Sequence, residues 1–299
     1  CGGFLFGLTA GSSYHVASCL KPELSVLICP ICQSELLPTA SGVACEHRHS
    51  FDRARQGYLN LLPVQHKASR APGDNPAMVQ ARRDFLSAGH YQPVADFLCQ
   101  QAATLTPANW LDIGCGEGYY TDQLAQVLGQ NSGYALDISK DAVLQACKRN
   151  RHIKWLVASM ARVPLAAQSM DLLVSVFSPL DWQEVQRLLS VQGQLLHLGP
   201  AENHLIELRQ LIYDEVRPYN DAKHLEQLPA GLSVLQTEFL SVPVRLANEA
   251  DRRNLLAMTP HGQRTGQARY EQVIQQLETV TVAVRLDQIT HNAGEQDAT

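Results

Sequence analysis

Four residues near the start of the chain have the types and spacing to hold a metal. Cys29 and Cys32, in Leu27-Ile-Cys-Pro-Ile-Cys32, put two thiolates at the tip of one turn, and Cys45 with His49 forms a second knuckle. Three sulfurs and one imidazole converging on a centre suit tetrahedral zinc. His47 competes for the fourth position, and His49 is preferred because its longer arc clears the Cys45 backbone. Four protein ligands leave no open position, so such a zinc is structural. A segment this short buries little apolar surface, and the metal would supply its folding energy.

The second chemical stretch is Trp110-Leu-Asp-Ile-Gly-Cys-Gly-Glu-Gly-Tyr-Tyr120, an apolar run ending in Gly114, Gly116 and Gly118. It predicts a strand, a glycine turn and the N-terminus of a helix, where a ligand lies so close to the backbone that a Cβ would collide with it. The spacing is G-x-G-x-G, unlike the G-x-G-x-x-G of dinucleotide sites. The next strand-like run, Gly133-Tyr-Ala-Leu-Asp137, ends in an acid where a ribose hydroxyl needs an acceptor. Asp112, just before the glycines, sits badly beside a pyrophosphate and well beside an amino acid cation. Asp112, Gly114, Gly116 and Asp137 therefore point to S-adenosylmethionine, and a nicotinamide oxidoreductase is disfavoured.

These residues need an α/β frame. Strands are expected at Asn109–Ile113, Tyr134–Asp137, Ile153–Val157, Met170–Phe177 and Gln194–Leu198, with helices at Pro93–Thr104, Tyr119–Leu128, Lys140–Asn150 and Trp182–Leu189 between or before them. Helix after strand at this spacing predicts a doubly wound, mostly parallel sheet with right-handed crossovers. A long helix over Leu205–Glu215 and β-rich runs at Val234–Leu246 and Val280–Asp287 complete it, the last pair forming an antiparallel edge of a seven-stranded sheet. The expected domains are a leader (1–26) read as disordered, a zinc-binding domain (27–62), a basic loop and linking helix (63–90), the cofactor-binding α/β domain (91–290) and a frayed tail (291–299).

Composition narrows the partners. At 299 residues, 45% hydrophobic and 18% charged, the chain accommodates one α/β domain plus a small module. It has no run of about 18 apolar residues to span a membrane. The eight cysteines are unevenly spaced, which points to metal binding and the reducing cytoplasm in place of a disulfide scaffold. The net charge is −5, yet Arg48 to Arg83 carries seven basic residues (Arg48, Arg53, Arg55, Lys67, Arg70, Arg82, Arg83) against Asp52 and Asp74. Such a belt can contact nucleic acid phosphates, with Arg82 and Arg83 on the polar face of a helix over Asn75–Gly89.

Together, Cys29-x-x-Cys32 with Cys45-x-x-x-His49, Gly57-Tyr-Leu-Asn-Leu-Leu, Pro72-Gly-Asp74, Ala81-Arg-Arg83, Phe85-Leu-x-Ala-Gly-His-Tyr91, the glycine turn and His204-Leu-x-Glu-Leu208 resemble the bacterial 23S rRNA (guanine-N1)-methyltransferase family over roughly residues 27 to 290. The resemblance implies a class I methyltransferase fold, a zinc domain that helps recognise a 23S rRNA hairpin loop, and a homodimer. It also implies cofactor contacts at Tyr91, Gly116, Glu117 and His204. The chain departs from the family at Ser190-Val-Gln-Gly193, where a Lys-Pro-Gly-Gly turn is usual. Guanine N1 carries a proton, so a base or a contact polarising O6 is required. Asp181 is a candidate base or, equally, a helix N-cap, and Phe177 is a core aromatic or a stacking platform for a flipped base. Two alternatives stay open: a small-molecule methyltransferase with a structural zinc module, and a non-catalytic RNA-binding protein.

Overall fold

The computed structural model describes residues 26–63, 73–128 and 132–292. All but Val26 of the expected leader, the stretch 64–72 with Lys67, Arg70 and Pro72, and the tail from 293 lie outside the described residues.

The N-terminal module is a small antiparallel sheet of β1 (Leu37–Pro38), β2 (Gly42–Ala44) and β3 (Ser50–Asp52), in that order. Only a few of its side chains, among them Leu36 and Val43, are buried and apolar. It is stitched to the larger domain by its own backbone. Ile28 N donates to Pro164 O at 3.0 Å, Ala166 N donates to Val26 O at 2.8 Å, and Leu27 bridges Leu165. The chain then runs through β4 (Leu59–Asn60), which pairs in parallel with a strand of the main sheet.

The main domain follows the alternation expected from the sequence. After α1 (Pro76–Ser87) and α2 (Gln92–Ala102) come β5 (Asn109–Ile113), α3 (Tyr119–Leu128), β6 (Ser132–Asp137), α4 (Lys140–Arg149), β7 (Lys154–Val157), β8 (Met170–Val176), α5 (Trp182–Leu188) and β9 (Leu189–Pro200). Next are α6 (Ile206–Ile212), β10 (Leu232–Arg245), α7 (Glu249–Met258), α8 (Pro260–Gln263), α9 (Gln267–Gln276) and β11 (Thr279–His291). The strand order is β10-β11-β9-β8-β5-β6-β7-β4, with β11 antiparallel to both of its neighbours and the other pairings parallel. The chain leaves β5 for β6 on one side and later returns to β8 on the other. The crevice at the C-terminal ends of β5 and β8 is therefore the topological switch point, where open α/β sheets bind ligands.

Four expectations are corrected. The sheet has eight strands and not seven, because the apolar run at Gly57–Pro63 adds β4 to the β7 edge. The helix expected over Leu205–Glu215 is α6 alone, entered through a left-handed Leu205 (φ 52°) and ended by an extended Tyr213. Residues 190–193 are not a turn but the start of β9, where pairing with β8 shifts register and Ser190 Oγ donates to Asp171 Oδ1 at 2.9 Å. Finally, β11 runs to His291, paired with Leu232, so the frayed tail cannot begin at 291. Helices α7 to α9 were not anticipated, and α7 packs on α1.

A buried polar knot secures the antiparallel edge. Asp287, fully buried, accepts from His224 Nε2 (2.8 Å), Arg285 Nε (2.9 Å), Arg285 Nη2 (3.0 Å) and Thr237 Oγ1 (2.6 Å). Burial raises the pKa of this carboxyl, but the hydrogen bonds from His224, Arg285 and Thr237 outweigh it and hold the group at about 2, below the usual 3.8. A depressed pKa stabilises the fold above pH 4 and loses that contribution as pH falls from about 4 to about 2. Its size is about 2 kcal/mol. Asp287→Asn should therefore unfold at lower denaturant than wild type at pH 7, with the gap closing as the two are titrated towards pH 2.

Candidate active site and metal centre

Two knuckles bring the metal-ligand candidates together. Gln33 N bonds to Cys29 O (2.8 Å) and Arg48 N to Cys45 O (2.9 Å), and left-handed Gln33 (φ 64°) and Arg48 (φ 66°) close the turns. Cys29 Sγ, Cys32 Sγ, Cys45 Sγ and one ring nitrogen of His49 all lie within 4.8 Å of one another. The Cys32–Cys45 sulfurs are 3.7 Å apart, and His49 Nδ1 is 3.5 Å from Cys29 Sγ and 3.4 Å from Cys45 Sγ. A tetrahedron with Zn–S near 2.3 Å and Zn–N near 2.0 Å has edges of about 3.8 and about 3.5 Å, so the cage fits zinc. His47 turns away to Ser34 Oγ (3.0 Å), which leaves His49 as the fourth ligand.

At the switch point a cavity of about 480 Å³ opens, walled by Gly114, Gly116, Glu117, Asp137, Tyr91 and others. Gly114 has φ 76°, and a Cβ there would stand 2.1 Å from Ser178 Oγ. At Gly116 (φ 55°) a Cβ would meet only Arg82 Nη1 at 3.9 Å, so the turn leaves a cradle for a ligand. Asp137 reaches back to the turn: Oδ2 accepts from Gly116 N (2.9 Å) and Oδ1 from Ser139 N (2.7 Å). Glu117, buried, is paired through Oε2 with Arg149 Nε (2.5 Å), and its Oε1 has no partner among the described residues. Burial pushes the Glu117 carboxyl up against the opposing pull of Arg149, Arg83 and Arg82. An orphaned acceptor beside a glycine cradle and a strand-end acid fits a ligand with an amino acid cation and a ribose.

A larger cavity of about 680 Å³ adjoins the first, and Asp74, Arg82, Tyr91, Phe177, Ser178 and Met258 line both. Phe177, left-handed at φ 51°, stands at the junction with its ring centre 6.1 Å from Tyr91 and 5.3 Å from His204. His204 lines the second cavity only. Its Nδ1–H donates to Ala283 O (2.8 Å), so Nε2 faces Tyr91 Oη (3.3 Å) as an acceptor. Burial pushes His204 down to about 4, and it is neutral at pH 7. His261 sits between two phenols, with Tyr213 Oη and Tyr219 Oη each 2.8 Å from one of its nitrogens.

The structure separates some residues the sequence had grouped. Asp112 is buried under the turn, bonded to Thr121 Oγ1 at 2.5 Å and pushed up to about 7 by burial, and it forms no part of the cavity wall. Asp181 is the N-cap of α5, its Oδ1 accepting from Gln183 N (3.1 Å) and Glu184 N (3.2 Å), and it lines neither cavity. Of the two roles left open for Asp181, base or N-cap, the second is the one these bonds make. Arg82 and Arg83 face inward. Arg82 pairs with Asp74 and donates to Met258 O (3.2 Å), while Arg83 donates to Gln145 Oε1 (2.5 Å). Sequence reasoning missed the second cavity, because Tyr213, Tyr219, His261 and Arg264 come from a loop and from helices whose only local signal was Thr259-Pro-His-Gly262.

Comparisons with known proteins match both parts. A family model described as "RlmA, N-terminal" covers residues 27–70, and one described as "Methyltransferase domain" covers 111–198. The 23S rRNA (guanine(748)-N(1))-methyltransferase of Streptomyces fradiae is 31% identical over 80% of this chain and 86% of its own. A provisionally named 23S rRNA (guanine-N(1)-)-methyltransferase of Micromonospora griseorubida is 33% identical over 89% of this chain and 97% of its own. One from Bacillus subtilis, also provisionally named, is 32% identical over 75% and 80%.

Two measurements test these sites. Elemental analysis of freshly purified protein should return one zinc per chain, with Cys45→Ser reducing it to below half and lowering the melting temperature. Asp137→Ala should weaken S-adenosylmethionine binding about tenfold or more by calorimetry, on the scale of a lost charge-assisted hydrogen bond.

Proposed function

Because the chain belongs to the 23S rRNA (guanine-N(1)-)-methyltransferase family, we propose that it transfers a methyl group to N1 of a guanine in a hairpin loop of 23S rRNA. The carrying observation is the pair of cavities joined at Tyr91 and Phe177. The first suits S-adenosylmethionine and the second has room for a purine. When bound, the cofactor supplies an electrophilic methyl carbon on a cationic sulfur.

The protein's own task is then alignment and exclusion of water. Gly116 clears the approach, Asp137 accepts from the ribose, and Glu117 Oε1 accepts from the ammonium. Tyr91 walls the methyl-donor end, and His204 stands behind it in the second cavity. The guanine leaves its stack to enter the second cavity, where Phe177 offers a ring face. A loop nucleotide suits this entry because it is already partly unstacked.

Phosphate contacts fall to the zinc module. Arg48, Arg53 and Arg55 are exposed on it, and a surface groove from Arg55 to Lys148 and Arg151 continues the positive charge onto the main domain. This substrate, together with the thiols of Cys99, Cys115 and Cys147 outside the zinc cage, supports action in the reducing cytoplasm. Exposed Leu235 and Phe239 on the edge strand β10 support association of two copies.

Reverse transcription of rRNA from cells with and without the gene tests the reading, since N1 methylation blocks base pairing. One gene-dependent stop within a 23S hairpin loop is expected, and identical stop patterns would sink it. Arg55→Glu with Arg151→Glu should raise the apparent KM for RNA severalfold and leave cofactor affinity unchanged, because phosphate contacts are electrostatic.

A further inference from the structure

We propose that Asp74 is the base that takes the N1 proton of the acceptor guanine, with Arg82 holding the carboxylate in place and facing the guanine O6; the proposal rests on the guanine-N1 reading above. The acceptor nitrogen must lie about 3 Å from the methyl carbon, so its proton is released where the two cavities meet. Of the six described residues that line both cavities, Phe177 and Met258 have no proton acceptor of use. Tyr91 Oη is engaged with His204, and burial pushes that phenol well up. Ser178 is a neutral hydroxyl, and Arg82 is a cation. Asp74 is the one carboxylate among the described residues that line both.

The other candidates are occupied or displaced. Glu117 and Asp137 line the cofactor cavity alone, the first paired with Arg149 and the second accepting from Gly116 N and Ser139 N. His204 Nε2 faces Tyr91, and both nitrogens of His261 are held by Tyr213 and Tyr219. His197 lines the second cavity away from the junction, and burial drives it down to about 4.

Asp74 is fixed for such a role. Gly73, at φ 85° with room for no Cβ beside Ser139 Cβ (2.9 Å), sets the backbone, and Asp74 O accepts from Ser139 Oγ at 2.9 Å. Oδ2 pairs with Arg82 Nη1, whose Nη2 is tied to Met258 O on α7 at 3.2 Å. Oδ1 accepts no hydrogen bond from the described residues, and the side chain is 26% exposed, so it is open to substrate. Arg82 and Asp137 are the charges that face it, with Arg264 on the wall of the second cavity. In the step, Asp74 Oδ1 binds the N1 proton. The N–H electron pair forms the N–CH₃ bond as the C–S pair returns to sulfur, leaving a neutral thioether, N1-methylguanine and a neutral carboxylic acid. That acid then gives its proton to solvent.

The full-length protein with Asp74→Asn or Asp74→Ala decides this in single-turnover methyl transfer to a 23S rRNA fragment from pH 6 to 9, with cofactor affinity measured by calorimetry. Asp74→Asn should lose about 10²- to 10⁴-fold in rate at pH 7. Cofactor affinity and melting temperature should stay near wild type. The residual rate should rise about tenfold per pH unit, because only guanine already deprotonated in water then reacts, and added formate should restore part of the Asp74→Ala rate. A rate within threefold of wild type overturns the proposal. So does a loss that is uniform across pH, insensitive to formate and matched by a loss of cofactor affinity, which is what a structural role gives. Wild type run alongside separates the two failures: absence of N1-methylguanine in its product overturns the parent reading, whereas a normal product with an unimpaired Asp74→Asn overturns only the base.

Discussion

The carboxylate of Asp137 ties the cofactor cleft together. One oxygen accepts from Gly116 N in the turn after β5 and the other from Ser139 N at the start of α4. A glycine turn with three left-handed residues is costly to order. It stays open towards the cavity because an acid from the neighbouring strand holds the Gly116 N–H in position. Each carboxylate oxygen keeps a second lone pair, so the same group that shapes the turn can still accept from a ribose. Ser139 then passes the constraint on, since its hydroxyl donates to Asp74 O, and Asp74 meets Arg82 on α1. One chain of polar contacts thus runs from the floor of the cleft to the helix that closes it.

The zinc module depends on the same sheet for its orientation. By itself it has a three-stranded sheet and little apolar area, and the metal cage supplies the missing cohesion. Its backbone bonds to Pro164 and Ala166, together with β4 against β7, extend the main sheet towards the knuckles. The module is thereby held rigid with respect to the cleft. A module on a free linker would have to pay ordering entropy on every encounter.

Much of this was legible locally. The metal ligands and the strand–turn–helix of residues 109–128 are written in short-range patterns: paired cysteines, an apolar run, three glycines. Asp137 was legible too, because it ends the next strand at the spacing a βαβ unit requires. What escaped depends on contacts distant in sequence. Arg82 looked solvated because helical periodicity set it on a polar face, yet Met258, 176 residues away, and Asp74 turn that face inward. Asp112 was placed correctly on its strand but on the wrong surface. It bonds to Thr121 below the turn, and the alternation of a strand buried on both sides gives no hint of which side a ligand takes. The second cavity needed α7 and α8, which lie in the stretch between the two β-rich runs that the sequence reading left unassigned.

The charges around the cleft suggest how it lets its product go. Glu117 and Asp137 face the cavity, and burial raises both carboxyls more than Arg82, Arg83 and Arg149 lower them. Raised pKa values mean the site holds negative charge at a cost that a bound cation relieves. Before transfer a bound S-adenosylmethionine would carry a cationic sulfur as well as its ammonium, and both would gain from these carboxylates. After transfer the sulfur is neutral and part of that attraction is gone, so the same arrangement favours the methyl donor over its product. A neutral His204 serves this bias better than a charged one, since an imidazolium on the wall of the adjoining cavity would repel a cationic donor and spare a neutral product. Burial and the bond to Ala283 O keep His204 neutral without any partner from the ligand.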